Sequence, residues 1–406
     1  KGGGAGMILQ ALKEYYDRKA ADPESGIAPE GWEWKEIPFI VVLDIKGKLK
    51  QIEDTREGEG KKKRGKQFLV PQGVKKTSGI AANLLWDTAG YVFGIVNTER
   101  LDAEKAQKAI TRVPEQKKAF IDRIKAELPQ TNRTKMVLTF LSTIERGTIE
   151  KMPAWEDIYQ TNPLVSFRFE DERDLFCRSK EVLAALGGKN SDRQVDGVCL
   201  VSGAKDRISE LHTSIKGVYG AQTSGANIVS FNLDAFRSFG KKQGMNAPVG
   251  ETAMFAYTTA LNTLLSRDSM QRLQVGDAST VFWSARKTNF ESDFAFFFKE
   301  PEKDDPDAGT RRIRNLFESP KTGAYLEDNG EEKFYILGLS PNAARISVRF
   351  WQVGTVAEFA GRIRQHFEDL KIVKPPKEPE FYSLWRLLVN IAIQDKSENI
   401  PPNVAG

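Results

Sequence analysis

The chain has 406 residues, 40% hydrophobic and 10% aromatic, which predicts two or three domains with buried cores and excludes a disordered protein. Sixty lysines and arginines against 55 aspartates and glutamates leave a net charge of +5, which excludes no class of partner, because the placement of charge matters more than its sum. The two cysteines, Cys177 and Cys199, exclude a disulfide framework and predict a reducing, cytoplasmic location.

No apolar run reaches the roughly 18 residues needed to cross a bilayer, so we expect no membrane partner. Residues 1–6 (KGGGAG) resemble a cloning remnant ahead of a natural start at Met7. The helical spacing of apolar residues predicts a helix over 7–21. Two strands over 37–45 and 48–52 are predicted to form a hairpin around Lys46-Gly47.

A dense run of charge and glycine, residues 54–66, is predicted to form a long mobile loop, here called the basic loop. The residues that follow it, 66–70, are predicted to form a strand that stops at Pro71. Between Lys46 and Lys76 there are eleven cations and four anions, a net charge of +7 against +5 for the whole chain. The excess positive charge is therefore local.

The remaining pattern predicts an α+β fold in three segments: an N-terminal module (7–150), a larger α+β body (151–354) and a helix-rich C-terminal end (355–406). Helices are predicted over 101–112, 114–128, 133–145 and 250–266. Strands are predicted over 164–170, 197–201, 227–233 and 280–284, and the strands 333–339 and 345–351 are expected to pair across Pro341-Asn342. Two further helices, separated by Pro375-Pro376, are predicted over 356–393.

The soft metal ligands are too few and too scattered for a zinc site. No two of Cys177, Cys199, His212 and His366 have zinc-site spacing. No nucleophile elbow precedes a helix, and His212 is expected to be structural or at the surface. We therefore expect no metal, no cofactor and no catalytic residues.

The basic loop contains a partial match to a phosphate-binding loop. Residues 60–66 satisfy G-x-x-x-x-G-K, but Gln67 stands where Mg²⁺ binding needs a hydroxyl. A strand, and not a helix, is predicted to follow, so an ATP site is not supported. The enzymatic alternative that stays open is a nuclease or NTPase accessory protein that uses Lys66 or carboxylates such as Asp171 and Glu172.

Three groups of residues are candidates for nucleic-acid contact, because lysines neutralise phosphates while glycines, hydroxyls and amides permit close hydrogen bonding. Cations in the basic loop are Lys61, Lys62, Lys63, Arg64 and Lys66. A polar and basic stretch, 72–79, supplies Gln72, Lys75, Lys76, Thr77 and Ser78, and Asn83 follows at the start of a predicted helix. Residues 72–85 are together called the first donor segment. The second donor segment (216–227) supplies Gln222, Ser224 and Asn227, and the pair Lys241 and Lys242 follows it. A solvated charge run and a pair of ordinary turns are the alternatives.

Four long blocks carry a family resemblance. They are KKTSGIAANLLWDTAGYVFG (75–94), LHTSIKGVYGAQTSGANIVSFNLDAF (211–236), NAPVGETAMFAYTTALNTLL (246–265) and LGLSPNAARISVRFW (337–351). In this order they resemble the large subunit of the type I-C CRISPR Cascade complex. The resemblance also implies a helical C-terminal region, of which the residues after Pro376 would be the beginning.

The resemblance implies a non-catalytic subunit at the foot of an RNA-guided complex. Such a subunit binds the duplex that carries the protospacer-adjacent motif (PAM) and starts strand separation. The partners implied are the backbone subunits that hold the CRISPR RNA, target double-stranded DNA with its PAM, the displaced non-target strand and a recruited helicase–nuclease. Because guide pairing reads the target, the protein needs to read only a few base pairs.

The resemblance also distributes roles among the candidate residues. Lys75, Lys76, Thr77 and Ser78 lie in a family block and are assigned to PAM contact within an N-terminal PAM-reading module, with Gln72 and Asn83 as amides for base edges. The second donor segment forms a second candidate patch. The basic loop lies outside the blocks and is expected to attract phosphates without reading sequence, as are Lys241 and Lys242. Core packing is expected for Trp283 and Trp351.

Overall fold

A computed structural model describes residues 7–60, 63–76, 79–187, 195–231, 233–298 and 330–373, together with 311, 314–316, 318, 375, 381–382 and 387. The described helices and strands form an α+β fold, as predicted. Contacts divide the chain into two compact units. The inserted unit is Ala28–Gln194, and the main unit is formed by Lys1–Ile27 together with Val195–Gly406. No helix within the described ranges is long and apolar enough to cross a membrane.

Six strands and six helices of the inserted unit lie within the described residues. The strands are β1 (Trp32–Glu36), β2 (Phe39–Leu43), β3 (Leu49–Asp54), β4 (Gln67–Pro71), β5 (Trp86–Thr88) and β6 (Leu164–Phe169). The helices are α2 (Ala89–Phe93), α3 (Ala103–Glu127), α4 (Asn132–Thr143), α5 (Arg146–Ile149), α6 (Trp155–Thr161) and α7 (Lys180–Gly187). One sheet has the strand order β3-β2-β6-β5, and β1 pairs with β4 in a separate ribbon.

The predicted β2–β3 hairpin is confirmed. All five residues of β2 are buried, which explains their unbroken apolar run, because β2 lies between antiparallel β3 and parallel β6. In the turn, Oδ1 of Asp44 accepts the backbone N–H groups of Lys46 and Lys48, each at 2.8 Å. These hydrogen bonds lower the pKa of Asp44. Gly47 adopts a φ of +78°, which glycine tolerates without strain.

The prediction of separate helices over 101–112 and 114–128 is wrong. Helix α3 continues through Pro114 for 25 residues, although proline removes one backbone hydrogen bond and disfavours a helical residue before it. Val113, Phe120 and Ile124 are buried on one face of α3. The stabilisation from burying residues on both sides of Pro114 exceeds the cost of placing a proline inside the helix.

The main unit contains the remaining elements. They are α1 (Ile8–Ala20), β7 (Gly197–Val198), β8 (Lys205–Asp206), α8 (Glu251–Leu264), β9 (Arg272–Val275), β10 (Ala278–Ser284), α9 (Asn289–Asp293), β11 (Lys333–Asn342), β12 (Arg345–Thr355) and α10 (Val356–Asp369). Strands β9–β12 form an antiparallel sheet in the order β12-β11-β10-β9. Helix α1 packs against α8, where the rings of Tyr16 and Phe255 meet edge to face.

The two units differ from the segments 7–150, 151–354 and 355–406 expected from the sequence. Helix α1 belongs to the main unit because its apolar face, with Leu12 and Tyr15, joins the core of α8 and β10. Strand β6 belongs to the inserted unit because it pairs with β2 and β5. Both groupings depend on contacts between residues far apart in sequence.

The sequence predicted the helices α1 and α8 and the pairing of β11 with β12, and the structure confirms them. The β11–β12 turn lies at Ala343-Ala344, between the two paired ends, and not at Pro341-Asn342. The prediction of a strand over 227–233 is wrong, because among the described residues of this range only Asn227 makes a bridge, to Arg345. Of the strand predicted over 197–201, only the first two residues form a strand, β7 (Gly197–Val198). Most of the second predicted C-terminal helix lies outside the described residues.

The tryptophans predicted to pack in the core do so. The side chain of Trp283 is fully buried, and the rings of Tyr335 and Trp351 lie 5.4 Å and 5.6 Å from it, centroid to centroid. These contacts join β10, β11 and β12 across one face of the sheet.

Candidate nucleic-acid interface

The first donor segment links the end of β4 to the start of β5, and backbone hydrogen bonds anchor its beginning. The N–H of Gln72 donates to the carbonyl of Gly31 at 2.8 Å, and the N–H of Gly73 donates to Oε1 of Glu33 at 2.9 Å. Nε1 of Trp86 donates to the carbonyl of Pro71, also at 2.8 Å. The segment therefore starts from a defined position on the β1–β4 ribbon.

A fully buried carboxylate, Asp87, holds the middle of the same segment. Nζ of Lys76 lies 2.6 Å and 2.8 Å from its two oxygens, and the backbone N–H groups of Asn83 and Thr88 donate to it at 2.8 Å and 2.7 Å. The ammonium of Lys76 also lies 3.8 Å from the ring centroid of Tyr91. A buried carboxylate needs this many partners, because each one offsets part of the cost of removing the charge from water.

Some of the residues assigned to PAM contact have partners inside the protein instead. Lys76 neutralises an internal charge, and Asn83 is buried, with its side-chain oxygen accepting the N–H of Val74 at 3.0 Å. Asn83 lies in an irregular stretch before β5 and not at the start of a helix. Both residues hold the segment in shape. Lys75 is exposed and Gln72 half-buried, whereas Thr77 and Ser78 lie outside the described residues.

Partial desolvation lowers the pKa of the exposed Lys75. The attraction between an ammonium group and a nearby phosphate is stronger when the ammonium is only partly hydrated than when it is fully hydrated. Lys75 is therefore an exposed lysine of the first donor segment that is only partly hydrated.

Two arginines on α3 hold the far end of the first donor segment. Arg112 donates to the carbonyl of Gly79 at 3.1 Å, and Arg123 donates to the carbonyl of Ala82. A groove of about 750 Å³ lies between Gly79-Ile80 and the exposed side of α3. Neither arginine was predicted from the sequence, although their spacing of eleven residues, three helical turns, places them on one face of a helix.

The basic loop is fixed at its base, so the prediction of an entirely unpacked loop is wrong there. The buried hydroxyl of Thr55 donates to the carbonyl of Ile37 at 2.5 Å and accepts the N–H of Lys66 at 3.2 Å. Backbone hydrogen bonds of 2.9 Å and 3.0 Å join Glu57 and Arg64 as an antiparallel bridge. The loop is thus a short hairpin, and β4 follows it directly, which agrees with the rejection of a phosphate-binding loop.

Three of the described cations of the basic loop are exposed. Lys63, Arg64 and Lys66 all lie at the surface, and Nη1 of Arg64 is 3.7 Å from Oε1 of Glu36. Lys61 and Lys62 lie outside the described residues. Exposed cations of this kind attract phosphates without reading bases.

The second donor segment and the lysine pair belong to the main unit. Hydrogen bonds between Ile215 and Ala226 close the segment at its base, and Asn227 donates from Nδ2 to the carbonyl of His212 at 2.9 Å. Asn227 therefore has a structural role. Gln222 and Ser224 are exposed at the tip. Lys241 and Lys242, also exposed, lie in a separate turn.

The side chains weighed for catalysis have structural partners. Arg133 pairs with Asp171 at 2.7 Å and also with Glu172, and desolvation raises the pKa of Glu172. Nδ1 of the buried His212 lies 2.6 Å from the hydroxyl of Tyr257, as expected for a structural histidine. Within the described ranges, no three His, Cys, Asp or Glu residues are grouped closely enough to hold a metal ion.

The chain matches the sequence model of a known protein family. No curated protein matches the chain. The sequence model of the family Cas_Csd1, described as a CRISPR-associated protein, matches residues 12–406. The match contains all four blocks that carried the resemblance and both units of the fold. The chain therefore belongs to the CRISPR-associated Csd1 family, the large subunit of the type I-C Cascade complex.

Proposed function

We propose that this Cascade subunit is a non-catalytic DNA-binding protein that contacts the PAM duplex with its first donor segment. The observation that carries the proposal is the bracing of this segment, which leaves Lys75 exposed while Lys76, Asn83 and Asp87 form its internal support. A loop that is held by hydrogen bonds on both sides of residues 77–78 and presents a cation and a half-buried amide, Gln72, suits base-edge contact. A flexible loop loses more conformational entropy on binding than a loop that is already held in one conformation.

The other candidate residues complete the proposal. The hairpin of the basic loop attracts phosphates of the DNA without reading sequence, and so do Lys241 and Lys242. Gln222 and Ser224 contact the DNA where its strands separate, and the subunit helps to hold the displaced strand and to recruit the helicase–nuclease. Family membership supports these partners, and the exposed positions of the side chains are compatible with them.

The test of PAM contact uses Lys75→Ala and Gln72→Ala in the assembled, guide-loaded complex. Removing a base-edge hydrogen bond typically costs ~1–3 kcal/mol, so each variant should lower affinity about five- to 150-fold for a PAM-bearing target. The loss should be smaller on a target without the PAM. Gel-shift titrations at one salt concentration on both targets measure the difference.

A matched control is Lys118→Ala, which removes an exposed lysine of α3 paired with Asp122 and should leave both affinities unchanged. Equal losses on the two targets would make the segment a phosphate clamp. No loss on either target would remove the segment from the interface, and the second donor segment would become the leading candidate.

The role of the basic loop is tested through salt dependence. Replacing Lys63, Arg64 and Lys66 with alanine should weaken binding equally for correct and incorrect PAMs. Each cation that no longer neutralises a phosphate should reduce the slope of log affinity against log salt by about 0.9 on duplex DNA. An unchanged slope would show that the hairpin is only solvated. In the same preparations we expect no metal-dependent cleavage of duplex DNA, and turnover would favour the enzymatic alternative.

A further inference from the structure

Phe239 is exposed to solvent over 97% of its surface in the main unit. Phenylalanine is among the residues most often buried, and leaving its ring in water forfeits the free energy that burial provides. Two neighbours of Phe239 in sequence, Phe236 and Met245, are only 38% and 37% exposed. The exposure of Phe239 is therefore a feature of this one position.

The turn that presents Phe239, residues 238–246, has an unfavourable backbone held by specific hydrogen bonds. Phe239 and Gln243 adopt φ values of +50° and +44°, in the left-handed region that residues with a Cβ avoid. Asn246 accepts the N–H of Ser238 at 2.9 Å and donates to the carbonyl of Gln243 at 2.9 Å. Strain of this kind persists where the surroundings enforce it, and it concentrates at functional sites.

The base of the Phe239 turn is also fixed. The N–H of Gly244 donates to the carbonyl of Glu210 at 2.9 Å, and a Cβ at Gly244 would collide with the carbonyl oxygens of Ser209 and Glu210. The ring is thus displayed from a closed, anchored turn and not from a loose segment.

The Phe239 turn also carries two lysines. Lys241 and Lys242 are both exposed, and within the part of the chain that the structure describes neither forms an ion pair. Arg237 pairs with Asp234 at 2.7 Å, and the guanidinium of Arg345 covers the ring of Phe236 at 4.3 Å. An aromatic face beside two lysines matches a nucleic-acid strand, in which a base offers a π-face and phosphates lie on both sides of it.

We propose that Phe239 stacks on an unpaired base of a DNA strand, with Lys241 and Lys242 on the phosphates beside that base. An unpaired base is specified because a paired base has both of its faces covered by its neighbours in the duplex. The proposal shares two premises with the proposed function, that DNA is the ligand and that Lys241 and Lys242 contact its phosphates, and it adds Phe239 and an unpaired base.

The test compares Phe239→Ala, Phe239→Trp and Phe239→Leu in the full chain. The probe is a single-stranded oligonucleotide that carries 2-aminopurine, whose fluorescence is quenched when the base stacks, and a fully paired duplex serves as the second ligand. Phe239→Ala should lower single-strand affinity about five- to 150-fold and leave duplex affinity almost unchanged. Phe239→Trp should retain affinity and quenching, and Phe239→Leu should lose both, because leucine is apolar but has no π-face.

Leu233→Ala is the matched control. Leu233 is an apolar residue six positions before Phe239, and its side chain is 54% exposed. This substitution should change neither affinity. Because Phe239 makes almost no buried contact, all three of its variants should fold, and a circular dichroism spectrum identical to that of the wild type checks this.

The outcomes separate this proposal from the proposed function. Single-strand binding that survives Phe239→Ala overturns the stacking proposal, whatever the effect of Lys75→Ala on PAM discrimination. Loss of single-strand binding in Phe239→Ala supports it, even if Lys75→Ala leaves PAM discrimination intact and the first donor segment is therefore not the reader. Reduced incorporation into the guide-loaded complex with unchanged DNA affinity would identify a protein-docking residue and would also overturn it.

Discussion

Replacing Lys76 with methionine is expected to destabilise the inserted unit, although Lys76 has the sequence context of a surface DNA-binding lysine. Methionine preserves most of the length and apolar volume of the side chain, so the change removes little except the charge. Asp87 then keeps the N–H groups of Asn83 and Thr88 but loses the only ammonium that contacts it among the described residues. A fully buried carboxylate is left without a counter-charge.

The magnitude follows from the burial of the two partners. Removing one partner of a buried ion pair costs about 3–5 kcal/mol. Because the side chain of Lys76 is 30% exposed, water can reach the space that its ammonium leaves beside Asp87. The expected destabilisation is therefore at the low end of this range, about 3 kcal/mol. For a unit of about 170 residues, each kcal/mol shifts Tm by roughly 2–4 °C, so Tm should fall by about 6–12 °C.

Differential scanning calorimetry of the full chain measures this change, with each thermogram fitted by two transitions because the chain has two units. Adding Asp87→Asn to Lys76→Met removes the unpaired charge and should recover about half of the loss. Lys118→Met makes the same chemical change in an exposed pair, and no measurable shift is expected. Equal shifts for Lys76→Met and Lys118→Met would refute the reasoning, as would a double variant no more stable than Lys76→Met.

Three further predictions concern the inserted unit. Pro114→Ala restores a backbone hydrogen bond within α3 and should raise its stability by up to about 3 kcal/mol in calorimetry; a lower Tm would contradict this. Gly65→Ala places a Cβ 2.7 Å from the backbone nitrogen of Pro38 and should cost about 1–3 kcal/mol, whereas Gly147→Ala, with no atom within 4 Å of the new Cβ, should cost nothing. Burial raises the pKa of Cys177 to about 12, so its thiol should resist iodoacetamide at pH 8 until the unit unfolds, and rapid alkylation of the native protein would show that the thiol is accessible.

Local chemistry was sufficient to predict several elements. The β2–β3 hairpin follows from an apolar run, a turn with Asp44 and Gly47, and a second strand, all within 16 residues. Helices α1 and α8 follow from the spacing of their apolar residues. In each case the interactions that decide the structure lie between near neighbours in the chain, so the pattern alone contains them.

The roles of the candidate residues depended on contacts that no local pattern contains. Lys75 and Lys76 are adjacent, chemically identical and both exposed, yet the ammonium of Lys76 pairs with the buried Asp87 eleven residues further along the chain. Helix α3 continues past Pro114 because Phe120 and Ile124, beyond the proline, pack into a core formed with distant strands, while Val113 before the proline is also buried.

The sequence by itself determined the α+β class, the local excess of positive charge and, through its four blocks, the family. Only the tertiary structure decided which cations face solvent and which neutralise buried carboxylates. The physical reason is that a lysine next to a buried carboxylate contributes to folding, whereas one at the surface is available to phosphates, and burial is a property of the whole fold.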